Sequence, residues 1–276
     1  MTDQDPYIKL QHEIEQLTNK NQLMPRLRAH FGATSQPLIH NIIKHTGMPV
    51  EFATDALVQI ALHKRMEPSA MIGILLKHNP DDAQWVSDAL HVLILVNLIK
   101  FDRERNQLIV VHDIPHDLQR ELDCFQYPLP MVCVPNPLKT NRDTGYITVR
   151  GSAILRDNHH DDDICLDHLN RMNKVALRVN SHTAGMIANR WRNLDKPKEE
   201  EQHSDFLKRK KAFEKFDATV KYVMNLLYQA GNHFYLTHKF DKRGRSYCQG
   251  YHVNYQGAPW NKAVIELADA ELVLDN

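Results

Sequence analysis

Apolar positions recur at helical spacing along most of this chain. Over residues 7–29, Ile8, Leu10, Ile14 and Leu17 fall among charges, as in an amphipathic helix. From Glu51 to Lys100 the pattern stays helical through Phe52, Ala56, Leu57, Ile60 and Ala61, then Met71, Ile72, Leu75 and Leu76, then Trp85 to Leu98. Asp81-Asp82 is placed to start the last of these helices. Asn106 to His112 reads as a strand after a turn. Prolines then punctuate Pro128 to Pro137, which puts the main boundary near residue 125. Beyond it, Tyr146 to Arg150 reads as a strand. Cys165, Leu169, Met172, Ala176 and Val179 alternate by four and three, predicting one long helix. Phe206, Phe213, Phe216, Val220, Val223 and Leu227 mark a second, ending at Gly231. Phe234-Tyr235-Leu236 on one side of a turn, and Tyr247, Gln249, Tyr251 and Val253 on the other, read as two strands; Trp260 to Ala270 is again helix-like. The expected fold is mainly α with small β elements, an α+β protein. Residues 1–125 form a helical N-terminal domain with a short closing strand, and residues 126–276 carry a strand–turn–strand block.

Composition narrows the class. The longest apolar run, Ala89 to Ile99, contains His91 and Asn97 and is too short to span a bilayer, so no membrane span is expected. The opening Thr2-Asp3-Gln4-Asp5-Pro6 is polar and acidic, unlike a signal peptide. Cys124, Cys133, Cys165 and Cys248 stand apart without C-x-x-C pairing, which suits a reducing cytoplasm. The formal net charge of +0 speaks against a stand-alone nucleic-acid binder, which carries a basic excess. The charge is unevenly spread, however: Lys208 to Lys211 and Lys239 to Arg245 are basic, whereas Glu266, Asp269, Glu271 and Asp275 make the last residues acidic. Such a balance fits a subunit that lends part of a nucleic-acid channel and gives other surface to a protein partner.

The densest chemistry lies in Lys239-Phe-Asp241-Lys242-Arg243-Gly244-Arg245-Ser-Tyr247, followed by Asn254-Tyr-Gln256-Gly257. Two arginines held by a tight turn can grip phosphate oxygens through planar, bidentate contacts that lysine cannot copy. Gly244 permits a positive φ or a close ligand approach. The plainer reading is a surface hairpin in which Asp241 pairs with one arginine and supports the turn. Both remain open on residue chemistry alone.

In its longer context, Asp241 to Arg245, then Tyr247, then Asn254-x-Gln256-Gly257, then Trp260 onward resembles the D-x-x-G-R block of the phage-type, single-subunit RNA polymerases. Pro130-Met-Val-Cys-Val-Pro135-Asn-Pro137, Thr144-Gly145-Tyr146, Leu169-Asn170-x-x-Asn173 and Arg178-Val179-Asn180 are similar to earlier parts of that family. The likeness covers roughly residues 127–272 and is strongest over 234–262. The family's catalytic aspartates, its Arg/Lys/Tyr helix and its His-Asp hairpin lie downstream of the block, and this chain stops at Asn276, before them. The resemblance therefore implies the small, N-terminal subunit of a split polymerase, an arrangement known among Enquatro-type phages. On that basis this chain holds no catalytic residue and is inactive alone. A large partner subunit bears the palm and fingers and holds Mg²⁺, and ribonucleoside triphosphates are the substrates. The resemblance makes Asp241, Arg243, Gly244 and Arg245, with Lys239 and Lys242, the contacts to DNA template and RNA–DNA hybrid, Asp241 orienting an arginine. It adds Gln256 and Lys262 as further contacts, a single-strand-binding protein as an accessory partner, and the cytoplasm of an infected bacterial host as the setting.

Other features take simpler readings. Lys208 to Lys211 is the wet face of a helix, with a backbone-tracking groove as the alternative. Tyr247 and Tyr251 pack in a core or stack on bases. His159-His160-Asp161-Asp162-Asp163, with Cys165 and His168, fits no standard zinc spacing and reads as a polar loop before a helix. The competing class for the whole chain is a non-enzymatic helical DNA- or protein-binding factor of phage origin, whose D-x-x-G-R is a chance surface turn.

Overall fold

The computed structural model describes residues 5–17, 19–125, 127 and 129–269. In chain order these form α1 (Pro6–Leu17), α2 (Lys20–His30), α3 (Pro37–Thr46), α4 (Val50–His63), β1 (Arg65–Met66), α5 (Pro68–Leu75), α6 (Ala83–Leu95), β2 (Ile99–Asp102), β3 (Gln107–Val110), α7 (His116–Phe125), α8 (Leu166–Asn173), β4 (Leu177–Val179), α9 (Ser181–Met186), α10 (His203–Gln229), β5 (His238–Phe240), β6 (Ser246–Cys248), α11 (Pro259–Val264) and β7 (Ile265–Leu267). About half of the chain is helical and every named strand pair is antiparallel, an α+β protein. Among the described residues no helix is long and apolar enough to cross a membrane.

Contacts divide the chain into two units. One lies within residues 17–125; the other joins residues 5–16 to those from 127 onward. The first is built on α4, whose side chains from Phe52 to Leu62 are nearly all buried, so this helix is wrapped on every side. Asp55 lies within that core and accepts from Arg28 Nη2 at 2.8 Å and from Lys77 and His78. Burial works against its charge, yet these hydrogen bonds hold its carboxyl down at about 2. Asp82 caps α6 by accepting from Trp85 N at 2.8 Å, as the sequence predicts for that start. The order α4, β1, α5, α6, β2, β3, with β3 between β1 and β2, is that of a winged helix-turn-helix. Its exposed positions on α6 include Gln84, Asp88 and His91 rather than lysine or arginine. This order serves modules that dock DNA and modules that dock protein, and by itself assigns no partner.

The second unit is less regular. Residues 129–165 run between its elements without a named strand or helix, and Tyr146 to Arg150 is not a strand. The amides of Ile147 and Thr148 instead donate to the buried carboxylate of Glu15 on α1, so no ladder forms there. Gln11 of the same helix accepts from Val132 N at 2.8 Å. These bonds are why α1 groups with the C-terminal unit, although the sequence assigns residues 1–125 to one helical domain. The helix expected over residues 7–29 is accordingly two helices, α1 and α2.

The helix expected to continue to Val179 stops at Asn173. Leu177 to Val179 pairs instead with β7, in the register Leu177↔Leu267, Arg178↔Glu266, Val179↔Ile265. The Trp260 helix is likewise short: α11 ends at Val264 and the chain turns into that strand. Ala270, Glu271, Leu272 and Asp275 lie outside the described residues. The helix expected over 206–227 is present as α10. It buries Thr219, Val220, Val223, Met224 and Leu227 in its second half and ends where Gly231 takes φ +92°. Residues 234–240 are the hub of this unit. Phe234 bridges to Leu177, Tyr235 to Met131 and Phe240 to Ile154, so one segment ties three separate stretches of chain together.

Candidate nucleic-acid interface

The D-x-x-G-R residues form the turn of a hairpin between β5 and β6, with His238 opposite Cys248, Lys239 opposite Tyr247 and Phe240 opposite Ser246. Strand alternation sends His238, Phe240 and Cys248 inward and puts Lys239 and Tyr247 on the other face. The turn closes by Asp241 N donating to Arg245 O and Gly244 N donating to Asp241 O, both at 3.0 Å. Gly244 has φ +77°, a conformation that side-chain-bearing residues avoid, and a Cβ there would meet no atom within 4 Å. Glycine is used here for backbone freedom, not for space.

Asp241 is the centre of the arrangement and is buried. Its Oδ1 accepts from Arg243 N at 2.9 Å and Arg245 N at 3.0 Å. Its Oδ2 accepts from Arg245 Nε at 2.8 Å, Arg245 Nη2 at 2.7 Å and the Tyr247 hydroxyl at 3.3 Å. Desolvation works to raise its pKa, but the hydrogen bonds from Arg245 outweigh it and hold the carboxyl below its ordinary range. The carboxylate thus fixes both the loop backbone and one guanidinium. Arg245 also lies over the Tyr247 ring, 5.6 Å from its centroid. The Arg243 side chain is 67% exposed and that of Arg245 52% exposed, so both present charge to solvent. Lys242 is exposed, with its amide donating to Asn158 Oδ1. Lys239 is half-buried, and that burial lowers its pKa. The turn therefore sets two guanidiniums beside one fully engaged carboxylate, with Lys239 and Lys242 as its neighbours in the chain.

Two of the sequence candidates are placed differently. Gln256 accepts from Cys248 N at 2.8 Å and donates to Ser246 O at 3.4 Å, so its amide is engaged by the backbone of β6. Lys262 stands exposed on α11, and among the described residues it makes no hydrogen bond or ion pair with the hairpin. Tyr251 is not on a strand. It stacks on Tyr127 with centroids 3.7 Å apart and meets Phe216 edge-on, in an aromatic group that also includes Trp191 and Phe213.

Beneath the hairpin, buried His238 contacts Asn173 Oδ1 through Nδ1 at 2.9 Å and the Tyr255 hydroxyl through Nε2 at 2.6 Å. Burial, with His168 adding repulsion, pushes its pKa down to about 4, so the ring is neutral near pH 7. Asn170 makes a reciprocal pair with the backbone of Leu138. The sequence did not single out His238, Glu15 or Gln11. A lone polar residue within an apolar stripe is the one signal that marks them, and it does not reveal the partner.

The chain matches no protein-family model and no curated protein sequence. Among the described residues no three His, Cys, Asp or Glu side chains come together as a group able to hold a metal ion.

Proposed function

We propose that this chain is the non-palm subunit of a two-polypeptide, phage-type DNA-directed RNA polymerase, contributing contacts to the template strand and the short RNA–DNA hybrid. The observation that carries the reading is the turn at Asp241 to Arg245, where a saturated carboxylate fixes a loop that presents Arg243 and Arg245 to solvent. A prefixed guanidinium loses little freedom when it meets a phosphate, which favours contacts that position nucleic acid without reading its sequence. The partner subunit supplies the carboxylates that hold Mg²⁺ for nucleotidyl transfer from ribonucleoside triphosphates.

The test is primer extension on an RNA–DNA scaffold with Mg²⁺ and ribonucleotides, using this chain alone and then with the product of the neighbouring reading frame. Extension only in the mixture, with co-elution of the two chains, is the expected result. No complex and no extension would leave a helical binding factor with a surface turn, and the polymerase reading would fall.

A further inference from the structure

Residues 136–150 fold back on themselves around an open cleft of about 440 Å³, within the range of sites that take a nucleotide-sized group. Its two limbs are braced from several directions. Asn136 N donates to Gly145 O at 2.8 Å and Thr144 Oγ1 donates to Val149 O at 2.6 Å. From below, Glu15 takes the amides of Ile147 and Thr148 at 3.0 Å and 2.6 Å. Gly145 has φ +81°, and a Cβ there would lie 3.3 Å from both Pro135 and Thr237, so the backbone is packed tightly at the floor.

Three exposed cations line this cleft: Lys139, Arg142 and Arg150. Among the described residues none of them makes an ion pair, whereas Arg26, Arg28, Arg178, Arg190 and Arg209 each meet a carboxylate. The single acid in the lining, Asp143, directs Oδ2 to the amides of Lys139 and Thr140 at 2.7 Å and 2.8 Å. Those two amide bonds are the main cause of its lowered pKa. One carboxylate committed to its own turn does not neutralise three cations that line a preformed concave surface.

We propose that this cleft is a phosphate-binding site, taking phosphate groups of a nucleic-acid strand or of a free nucleotide. Arg142 and Arg150 supply planar forks suited to phosphate oxygens, and Lys139 supplies a third donor. The braced loop means that little ordering accompanies binding. The inference does not rest on the polymerase reading and is tested separately from it.

The experiment uses the full chain carrying Lys242→Gln and Arg243→Gln, so that two exposed cations of the hairpin are removed while the Asp241–Arg245 pair that holds the turn is kept. A fluorescent single-stranded oligonucleotide and ATP are titrated against it at about 50 mM and about 200 mM salt. Onto this background are placed either Arg142→Gln with Arg150→Gln, or Arg65→Gln with Arg171→Gln, two exposed arginines outside the cleft, as a charge-matched control. The expected result is about a tenfold or greater loss of affinity from the cleft pair, with less than about a twofold loss from the control pair. Binding of the strand that ATP does not displace assigns a polynucleotide backbone; binding of ATP that displaces the strand assigns a free nucleotide. Equal losses from the two pairs, unchanged affinity in the cleft pair, or no binding of either probe by the background chain would overturn the proposal.

Discussion

Removing the carboxylate of Glu15 should loosen the loop over residues 131–150 while leaving the helical unit intact. Glu15 is buried and accepts four hydrogen bonds: Ile147 N at 3.0 Å, Thr148 N at 2.6 Å, Thr148 Oγ1 at 2.6 Å and Gln11 Nε2 at 2.9 Å. Hydrogen bonds to a charged group contribute about 1.5–3 kcal/mol each, but four that share one carboxylate do not add. Ile147 and Thr148 are themselves only half-buried, so water can reach some of the freed donors. Glu15→Ala should therefore cost about 3–4 kcal/mol locally. Glu15→Gln keeps one acceptor and turns an NH₂ toward the donors of Thr148, costing about 2 kcal/mol. Hydrogen exchange read by mass spectrometry is the assay, because it separates one segment from another. In Glu15→Ala, exchange over residues 131–150 should quicken by about two to three decades, following about 1.4 kcal/mol per decade. Exchange in α4 should not change. Acceleration of less than about threefold over 131–150 would refute the view that α1 clamps this loop.

Three further outcomes follow from the site. His238 has a folded pKa of about 4 against an unfolded value of 6.5, so the unfolded state binds more protons between those values. Its contribution to stability is present above pH 6.5 and is lost as pH falls toward 4, by up to about 3 kcal/mol; His238→Gln should flatten that part of a urea-midpoint-against-pH curve, and an unaltered slope would count against the assignment. Gly244→Ala meets open space but must keep a positive φ, so it should cost about 1 kcal/mol in thermal unfolding, and a neutral result would mean that the turn adopts another form. Arg243→Ala should leave the urea midpoint unchanged yet lower the salt dependence of scaffold binding by about 0.7–0.9 of a logarithmic slope, and an unchanged slope would remove Arg243 from the interface.

The sequence was most readable where one pattern held over many residues. The runs in α4, α6 and α10 bury long apolar stretches, and their periodicity does not suit a strand. The hairpin was legible in its turn but not in its strands: β5 is His238–Phe240 rather than Phe234 to Leu236, and β6 ends at Cys248, before Gln249, Tyr251 and Val253. Other short elements were not legible either. Leu177 and Val179 fit the stripe of the preceding helix equally well as a strand, and only the partner β7, about ninety residues on, decides between them. Tyr146 to Arg150 has strand composition, but its amides are taken by a carboxylate more than a hundred residues earlier. Nothing near Thr148 in the sequence carries that information. At the candidate site, the pairing of Asp241 with an arginine was readable from spacing, whereas the engagement of Gln256 by β6 was not. A glutamine beside a turn looks the same whether its amide faces solvent or backbone.

In the proposed interface, the geometry of the turn implies different work for its two arginines. Arg245 commits Nε and Nη2 to Asp241 and lies over Tyr247, leaving Nη1 as the nitrogen directed elsewhere. Arg243 gives only its backbone amide to Asp241 Oδ1, and its guanidinium approaches Oδ2 no closer than 3.5 Å with the side chain mostly exposed. Arg243 is thus the looser fork, able to close on a phosphate with two parallel bonds, while Arg245 is a fixed strut whose remaining N–H groups lie on Nη1 and the outer side of Nη2. Arg245→Ala would remove the strut and a contact together, so it should alter both the stability of the hairpin and the affinity for a scaffold. Arg243→Ala removes a contact alone. A pair of variants in which Arg243→Ala weakened the fold more than Arg245→Ala would reverse these roles and break the link drawn between the buried carboxylate and the presentation of charge.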